Sequence, residues 1–246
     1  MDVKGKTVLI TGGNTGIGRA ISMNFAEHGA NVAIAYIAYE EEARSLAAKI
    51  QSMGLQAKAY RTDIANEEEV AGLIRNIADD FGGLHVLINC AGRTHVVAHE
   101  DLYGMKSEYF DDIFAVNVKG TFFCCREAKP YLEKDGGVIV NITSTGGLNG
   151  LGSSIAYAAS KAAEINMTRS LARVFAPKVR VLGVAPGFVS TQFVAGQEAR
   201  GEKNAQENCM KRLARPEDIA DVVGSLVYGN DILTGINIAA DCGRVF

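Results

Sequence analysis

The pentapeptide Tyr157-Ala158-Ala159-Ser160-Lys161 sets a phenol and an ammonium four positions apart. If the segment is helical, the two side chains share one face. A free tyrosine titrates at about 10 and is a weak acid–base at neutral pH. A cation one turn away favours the phenolate and brings that titration down. Such a tyrosine can exchange a proton with a substrate hydroxyl or carbonyl. The same pair would also suit a packed ring beside a solvated charge, and short motifs match by chance.

A second feature is Thr11-Gly12-Gly13-Asn14-Thr15-Gly16-Ile17-Gly18-Arg19, where an apolar run gives way to a helical pattern. Glycine at 12, 16 and 18 would let the backbone approach a pyrophosphate, whose charge the helix N–H groups can hold. The spacing is G-x-x-x-G-x-G rather than the commoner G-x-G-x-x-G, and any tight strand-to-helix turn can require glycine. A P-loop is excluded, because no Gly-Lys-Ser/Thr follows.

Short β-branched runs alternate with helical stretches along the whole chain. Strands are predicted at 7–10, 31–35, 57–61, 86–88, 138–142, 179–184 and 236–238. Helices are predicted at 16–28, 40–53, 107–133, 155–175 and 216–228. Another helix is predicted after Asn66, with Glu69 as the second half of a capping box. Continuously apolar strands between helices imply a parallel sheet covered on both faces. Right-handed crossovers then make it an α/β, doubly wound Rossmann-type sheet of about seven strands. With no repeat or linker, residues 1–246 read as a single domain. The polar segment 190–215 is either a lid over a substrate or a surface insertion.

Composition narrows the function classes. Of 246 residues, 48% are hydrophobic and 22% charged, which excludes a disordered chain. Net charge is −3 with no basic stripe, against nucleic-acid binding. No apolar run approaches the roughly 20 residues needed to span a bilayer. Met1 to Lys6 run directly into a short apolar strand, which predicts a cytoplasmic chain without a secretory signal. Cys90, Cys124, Cys125, Cys209 and Cys242 lack metal spacing and read as reduced packing thiols. His95 and His99 are four apart but lack an evident third ligand, so they read as solvated loop histidines and no metal is expected.

Further residues fall in a fixed order. Asp63 and Ile64 follow the third strand, Asn89-Cys90-Ala91-Gly92 the fourth and Ser144 the fifth. Asn117 lies in the helix 107–133, and Pro186-Gly187-Phe188-Val189-Ser190-Thr191 follows the sixth strand. With the glycine-rich turn and the Tyr157/Lys161 pair, this set resembles the classical short-chain dehydrogenase/reductase family over essentially the whole chain. The resemblance implies an oxidoreductase that moves hydride between a nicotinamide cofactor and a carbonyl or secondary alcohol. Family substrates include 3-oxoacyl thioesters, sugars, steroids and small ketones.

It also implies roles. Ser144 would orient the substrate oxygen, and Tyr157 would be the general acid or base. Lys161 would assist Tyr157 and hold the nicotinamide ribose, and Asn117 would place a water leading from Lys161 to solvent. Cofactor contacts would come from Gly12, Asn14, Thr15, Gly16, Ile17, Gly18, Tyr36, Asp63, Ile64, Asn89, Ala91, Gly92, Tyr157, Lys161, Pro186, Gly187, Val189 and Thr191. A nucleotide-sugar epimerase uses the same Tyr/Lys pair, but the glycine spacing and the lack of a long C-terminal substrate domain argue against it. An intact Asn117/Ser144/Tyr157/Lys161 set argues against a catalytically silent NADP-binding sensor.

Tyr36 stands where an NAD-selecting carboxylate would bind the adenosine ribose. Its neutrality permits a 2′-phosphate, although Thr15 and Ile37 replace the usual basic partners, so NADP(H) is expected and NAD(H) stays open. Cys90 replaces the second asparagine of N-N-A-G, and Ala240-Asp241-Cys242-Gly243 departs from the usual V-D-G-G. Tyr109, Phe110, Phe114, Phe122 and Phe123, with Ile165, Met167, Leu171, Val174 and Phe175, make two helices apolar over most of their circumference. In the resembling family these two helices pair with their copies across a two-fold axis, so the resemblance implies a homodimer at least, and a homotetramer through the last strand; the alternative is that the extra apolar face covers the domain's own loops.

Overall fold

The computed structural model describes residues 1–194, 196, 198–229 and 231–244. Parallel strands β1 (Thr7–Thr11), β2 (Asn31–Tyr36), β3 (Ala57–Arg61), β4 (Val86–Asn89), β5 (Gly137–Ile142), β6 (Val179–Pro186) and β7 (Asn237–Ala240) form one sheet. Their order is β3-β2-β1-β4-β5-β6-β7, so the winding reverses between β1 and β4. In register, Thr11 pairs with Asn89 and Asn89 with Asn141, which aligns the carboxyl ends of three central strands. A crevice at that reversal is where open α/β sheets bind ligands.

The strands are apolar throughout because both faces are covered. Val8 and Ile10 of β1 join one core and Leu9 the other. The first core is closed by α1 (Gly16–Glu27), α2 (Glu40–Ser52) and α9 (Pro216–Tyr228), through Phe25, Leu46 and Val223 among others. The second is closed by α3 (Glu67–Phe81), α5 (Thr121–Asp135) and α7 (Ile155–Phe175), through Leu73, Cys125 and Leu171. Each fully buried aliphatic side chain contributes roughly 1.5–3 kcal/mol. The remaining helices are α4 (Ser107–Phe114), α6 (Gly146–Asn149) and α8 (Glu198–Glu207). None of the described helices is long and apolar enough to cross a membrane.

Three local expectations are corrected. The helix expected over 107–133 is broken by a π-helical turn at Ala115–Gly120, between α4 and α5. Asn66 does cap α3 by accepting from the Glu68 and Glu69 N–H groups. However, Glu69 turns outward and accepts from the Asp63 N–H at 2.8 Å, so it does not complete a box with Asn66. The polar stretch 190–215 contains a short 3-10 turn, Gln192–Val194, and helix α8. The histidines are not simply solvated. His95 Nε2 lies 3.0 Å from Asp112 Oδ2, its ring stacks on Tyr109 and His99 Nε2 is buried. Among the described residues no three His, Cys, Asp or Glu side chains converge as metal ligands do.

The helical apolar residues divide as well. Ile165, Leu171 and Phe175 are buried inside the chain, whereas Phe110, Phe122 and Val174 are exposed.

Candidate active site

A cavity of about 440 Å³ lies at the carboxyl ends of β1, β4, β5 and β6. Small-molecule sites usually measure about 300–1,000 Å³. One wall is the glycine-rich turn. Thr11 Oγ1 accepts from the Cys90 and Ala91 N–H groups, both at 3.1 Å, and ties the ends of β1 and β4 together. Gly12 has φ +63°, and a Cβ there would stand 3.0 Å from Ala91 Cα. Gly16 has φ +50° and faces Thr191, which a Cβ would meet at 3.3 Å. Both are backbone conformations that favour glycine. Ser22 Oγ donates to the Gly13 and Gly18 carbonyls at 2.9 Å and pins the turn from behind.

Helix α1 starts here, with no side chain capping its first N–H groups and no acidic residue in its first turn. Thr15, Gly16, Ile17 and Gly18 line the cavity. Uncapped N–H groups and the positive end of the helix dipole make this wall fit the pyrophosphate of a dinucleotide.

The other expected contacts take different places. Ala91, Gly92, Pro186, Gly187, Val189 and Thr191 line the main cavity. Tyr36, Asp63 and Ile64 line a smaller adjoining hollow of about 140 Å³, which shares Gly12, Ala91 and Gly92 with the larger one. Asn14 lines the main cavity, but its amide donates to the Ala38 and Tyr39 carbonyls at 2.8 and 3.0 Å, bracing the loop after β2. Asn89 lines neither space. Its amide donates to Asn141 Oδ1 at 2.9 Å and to Cys125 Sγ at 3.3 Å beneath the site.

The facing wall carries the acid–base groups. Ser154 caps α7 by accepting from the Tyr157 N–H at 3.2 Å, which sets where Tyr157 enters the helix. Ser144 sits in the turn after β5, its Oγ accepting from the Gly146 N–H at 3.0 Å. A Cβ on Gly147 would fall 2.5 Å from the Lys161 carbonyl carbon, so glycine lets α6 press against α7 beside Lys161. Ser144, Tyr157 and Lys161 all line the cavity.

Lys161 is only 4% exposed. Its ammonium lies 5.9 Å from the centre of the Tyr157 ring and donates to the Ile142 carbonyl at 3.0 Å. It also pairs with Glu164 Oε2 at 2.5 Å. Burial is the largest influence on Lys161 and opposes its charge, but Glu164 and Tyr157 outweigh it and hold the lysine pKa above its ordinary value. Burial also raises the Glu164 carboxyl above its ordinary range, against the pull of Lys161 and Thr121.

Asn117 is fully buried in the π turn. Its Oδ1 accepts from the Arg93 N–H at 2.8 Å, and its amide donates to the Arg93 carbonyl at 3.1 Å and to Ser160 Oγ at 2.9 Å. Ser160 Oγ donates in turn to the Tyr157 carbonyl at 2.8 Å. Both amide hydrogens are therefore engaged in joining the turn to the loop after β4 and to α7. A Cβ on Gly92 would lie 3.6 Å from Asn117 Oδ1 and 3.8 Å from Lys161 Nζ, so that glycine sits against both.

Several residues at the site were not singled out in the sequence. Arg200 and Asn204 of α8, with Arg244, close the far side of the cavity. Phe193, by contrast, belongs to the segment expected from its sequence to choose the substrate, and its ring lies 6.0 Å from that of Tyr157. Burial, then the neighbouring Arg244, lowers the Arg200 pKa. Arg244 is itself paired with Glu207 at 3.1 Å. For Glu164 and Ser154 a signal existed. Each lies three positions from a residue already singled out, the spacing at which helical neighbours meet.

Comparison with known proteins gives a consistent set. A family model described as enoyl-(acyl carrier protein) reductase matches residues 12–244. The 3-oxoacyl-(acyl-carrier-protein) reductase FabG of Staphylococcus aureus is 34% identical over 224 residues, covering 90% of this chain and 90% of that one. A solved short-chain dehydrogenase from Burkholderia cenocepacia, in complex with NADP, superposes with a TM-score of 0.91 at 30% identity over 99% of both chains. A variant of ElxO with NADPH bound superposes with a TM-score of 0.87 at 31% identity, over 97% of this chain and 98% of that one.

Proposed function

The chain belongs to the short-chain dehydrogenase/reductase family, and on that premise we propose that it is an NADP(H)-dependent oxidoreductase of the 3-oxoacyl-thioester reductase type. The observation that carries this reading is that one cavity joins both halves of the chemistry. One wall is a glycine cradle at an uncapped helix N-terminus, and the other presents Ser144, Tyr157 and Lys161. The curated relative is named for the same reaction, and two relatives of known structure carry NADP or NADPH.

When bound, the nicotinamide supplies or accepts the hydride. The chain does the rest. Gly12, Gly16 and Gly18 let the turn close tightly against Ala91, Thr191 and itself, so that the first N–H groups of α1 face the pyrophosphate. The hollow lined by Tyr36, Asp63 and Ile64 takes the adenosine end, and the segment from Pro186 to Thr191 takes the nicotinamide end. Ser144 Oγ donates a hydrogen bond to the substrate oxygen. The Tyr157 hydroxyl gives that oxygen its proton in reduction and takes it back in oxidation. The Lys161 ammonium favours the phenolate and holds the nicotinamide ribose. Because both Asn117 amide hydrogens are engaged, Asn117 would hold the water leading from Lys161 through an acceptor oxygen.

The segment 190–215 acts as the substrate lid, since it brings Phe193, Arg200 and Asn204 to the cavity beside Tyr157. Residues 1–246 function as one domain. The free cysteines fit a reducing, cytoplasmic setting. The test of the reading is a fluorescence titration with NADPH and NADH, followed by turnover of a 3-oxoacyl thioester and a panel of small ketones. Failure to bind either nucleotide, or to reduce any carbonyl, would defeat it.

Cofactor choice yields a prediction. Tyr36 ends β2 on the edge of the smaller hollow and puts no charge there; the one carboxylate among the hollow's described lining residues is Asp63, after β3. Tyr36→Asp should shift the ratio of kcat/KM for NADPH over NADH by at least about tenfold toward NADH, one hydrogen-bonded charge being worth about 1.5–3 kcal/mol. An unmoved ratio would remove Tyr36 from the ribose.

Assembly yields another. Phe110, Phe122 and Val174 remain exposed on the outer faces of α4, α5 and α7. A second copy would cover them in a two-fold interface. Light scattering at micromolar concentration should give at least twice the 26.2 kDa chain mass. A monomer would refute the dimer.

A further inference from the structure

Glu164 is a carboxylate where a buried helical face calls for an apolar residue. It lies one turn beyond Lys161 on α7, is 1% exposed and pairs with Lys161 Nζ at 2.5 Å. Its second oxygen accepts from Thr121 Oγ1 at 3.2 Å, at the first residue of α5 after the π turn. The other titratable groups facing it are the Cys125 thiol on α5 and the Cys90 thiol after β4. Burial pushes both up to about 12, so both are neutral at physiological pH. Tyr157 stands on the far side of Lys161. Among the described residues, Glu164 is the one anion against this ammonium.

We propose that Glu164 is a positioning residue for the reaction: it keeps the buried Lys161 ammonium charged and, with the Ile142 carbonyl, holds it in place beside Tyr157. The inference rests on the reading of Tyr157 and Lys161 as the acid–base pair. The physical ground is that an isolated lysine in an apolar interior gives up its proton. The Ile142 carbonyl is a neutral acceptor and offsets only part of that tendency. Glu164 supplies the missing charge, and Thr121 fixes the carboxylate so that it cannot swing away. The lysine can then stay cationic when the tyrosine beside it is ionised.

Glu164→Gln keeps the shape and removes the charge. In the oxidative direction, with a secondary alcohol and oxidised nicotinamide, wild-type kcat/KM should rise with pH to a plateau. In the variant the lysine loses its proton in turn, and activity should fall again at alkaline pH by about tenfold or more. Glu164→Asp, which retains the charge, should retain the plateau. A loss in Glu164→Gln that is the same at every pH, or an unchanged profile, would overturn the proposal.

Thermal melting of the protein without cofactor tests the pair independently of turnover. Glu164→Gln and Lys161→Met should each lower the melting temperature by about 10 °C, since each leaves a buried charge unpaired. The double variant should recover most of that loss. If it melts no higher than the weaker single variant, Glu164 is not there to balance Lys161. Absence of turnover in the wild-type chain would instead defeat the oxidoreductase reading, and the melting cycle would still judge the pair.

Discussion

Tyr157→Phe should lower kcat by at least about 1,000-fold, the middle of the range for removing a positioned acid–base group. The change deletes one oxygen. Ser154 caps the helix through the Tyr157 backbone N–H, and the Phe193 ring lies near the aromatic ring, so neither contact depends on the hydroxyl. Lys161 keeps its bonds to Ile142 and Glu164. The melting temperature and the affinity for NADPH should therefore stay close to wild type, the latter within about twofold, a difference of only some 0.4 kcal/mol. Steady-state turnover of a carbonyl substrate, with fluorescence titration of NADPH on the same sample, checks both halves. A variant that kept a tenth of the activity would take the proton transfer away from Tyr157.

The second large effect belongs to the opposite wall. A methyl group added at Gly18 would stand 2.0 Å from the Gly12 carbonyl oxygen, 2.8 Å from its carbon and 3.0 Å from Gly13 Cα. All three are backbone atoms, so no side-chain rotation relieves the clash and the turn itself must open. Overpacking of this kind costs about 1–3 kcal/mol. Gly18→Ala should lower the melting temperature by several degrees and weaken NADPH binding by at least about tenfold, because the displaced N–H groups are those proposed to hold the pyrophosphate. Gly72 is the control, since a Cβ there meets nothing within 4 Å in the middle of α3. Gly72→Ala should leave binding unchanged and stability equal or higher. Equal NADPH affinity in Gly18→Ala and wild type would dissociate the glycine turn from the nucleotide.

The elements that could be read from the sequence are those with one dominant signal. Every strand was legible to within two residues, because a run of β-branched residues buried on both faces has no other stable placement. Helix α7 was legible from Ile155 to Phe175. The π turn was not, because Phe114, Val116, Val118 and Phe122 satisfy a helical pattern whether or not one residue is inserted among them. Helix α8 escaped because Glu198–Glu207 is polar almost all round and carries no apolar stripe.

At the site, residue type and order located the groups but not their direction. Asn89 falls at the end of β4 as expected, yet its amide is turned beneath the sheet toward Asn141. Asn14 stands in the glycine turn, yet its amide is used on the loop after β2. Glu164 stands at helical spacing from Lys161, but spacing alone did not set it apart. A single glutamate in a helix normally marks a solvated face, and only packing shows that this one is buried.

The π turn also has a consequence for the chain as a ruler. An α-helix advances about 100° per residue, and one added residue in a widened turn resets that phase for everything downstream. Thr121 is the first residue after the reset, and its hydroxyl reaches Glu164. Cys125, a turn later, meets Asn89, and Phe122 is left on the outside. A chain that kept these residues but wound 115–120 as a regular α-helix would turn all three side chains by about a quarter of a circle. The widened turn, rather than the helix on either side of it, therefore decides which side chains of α5 reach Glu164 and Asn89 and which are left facing outward.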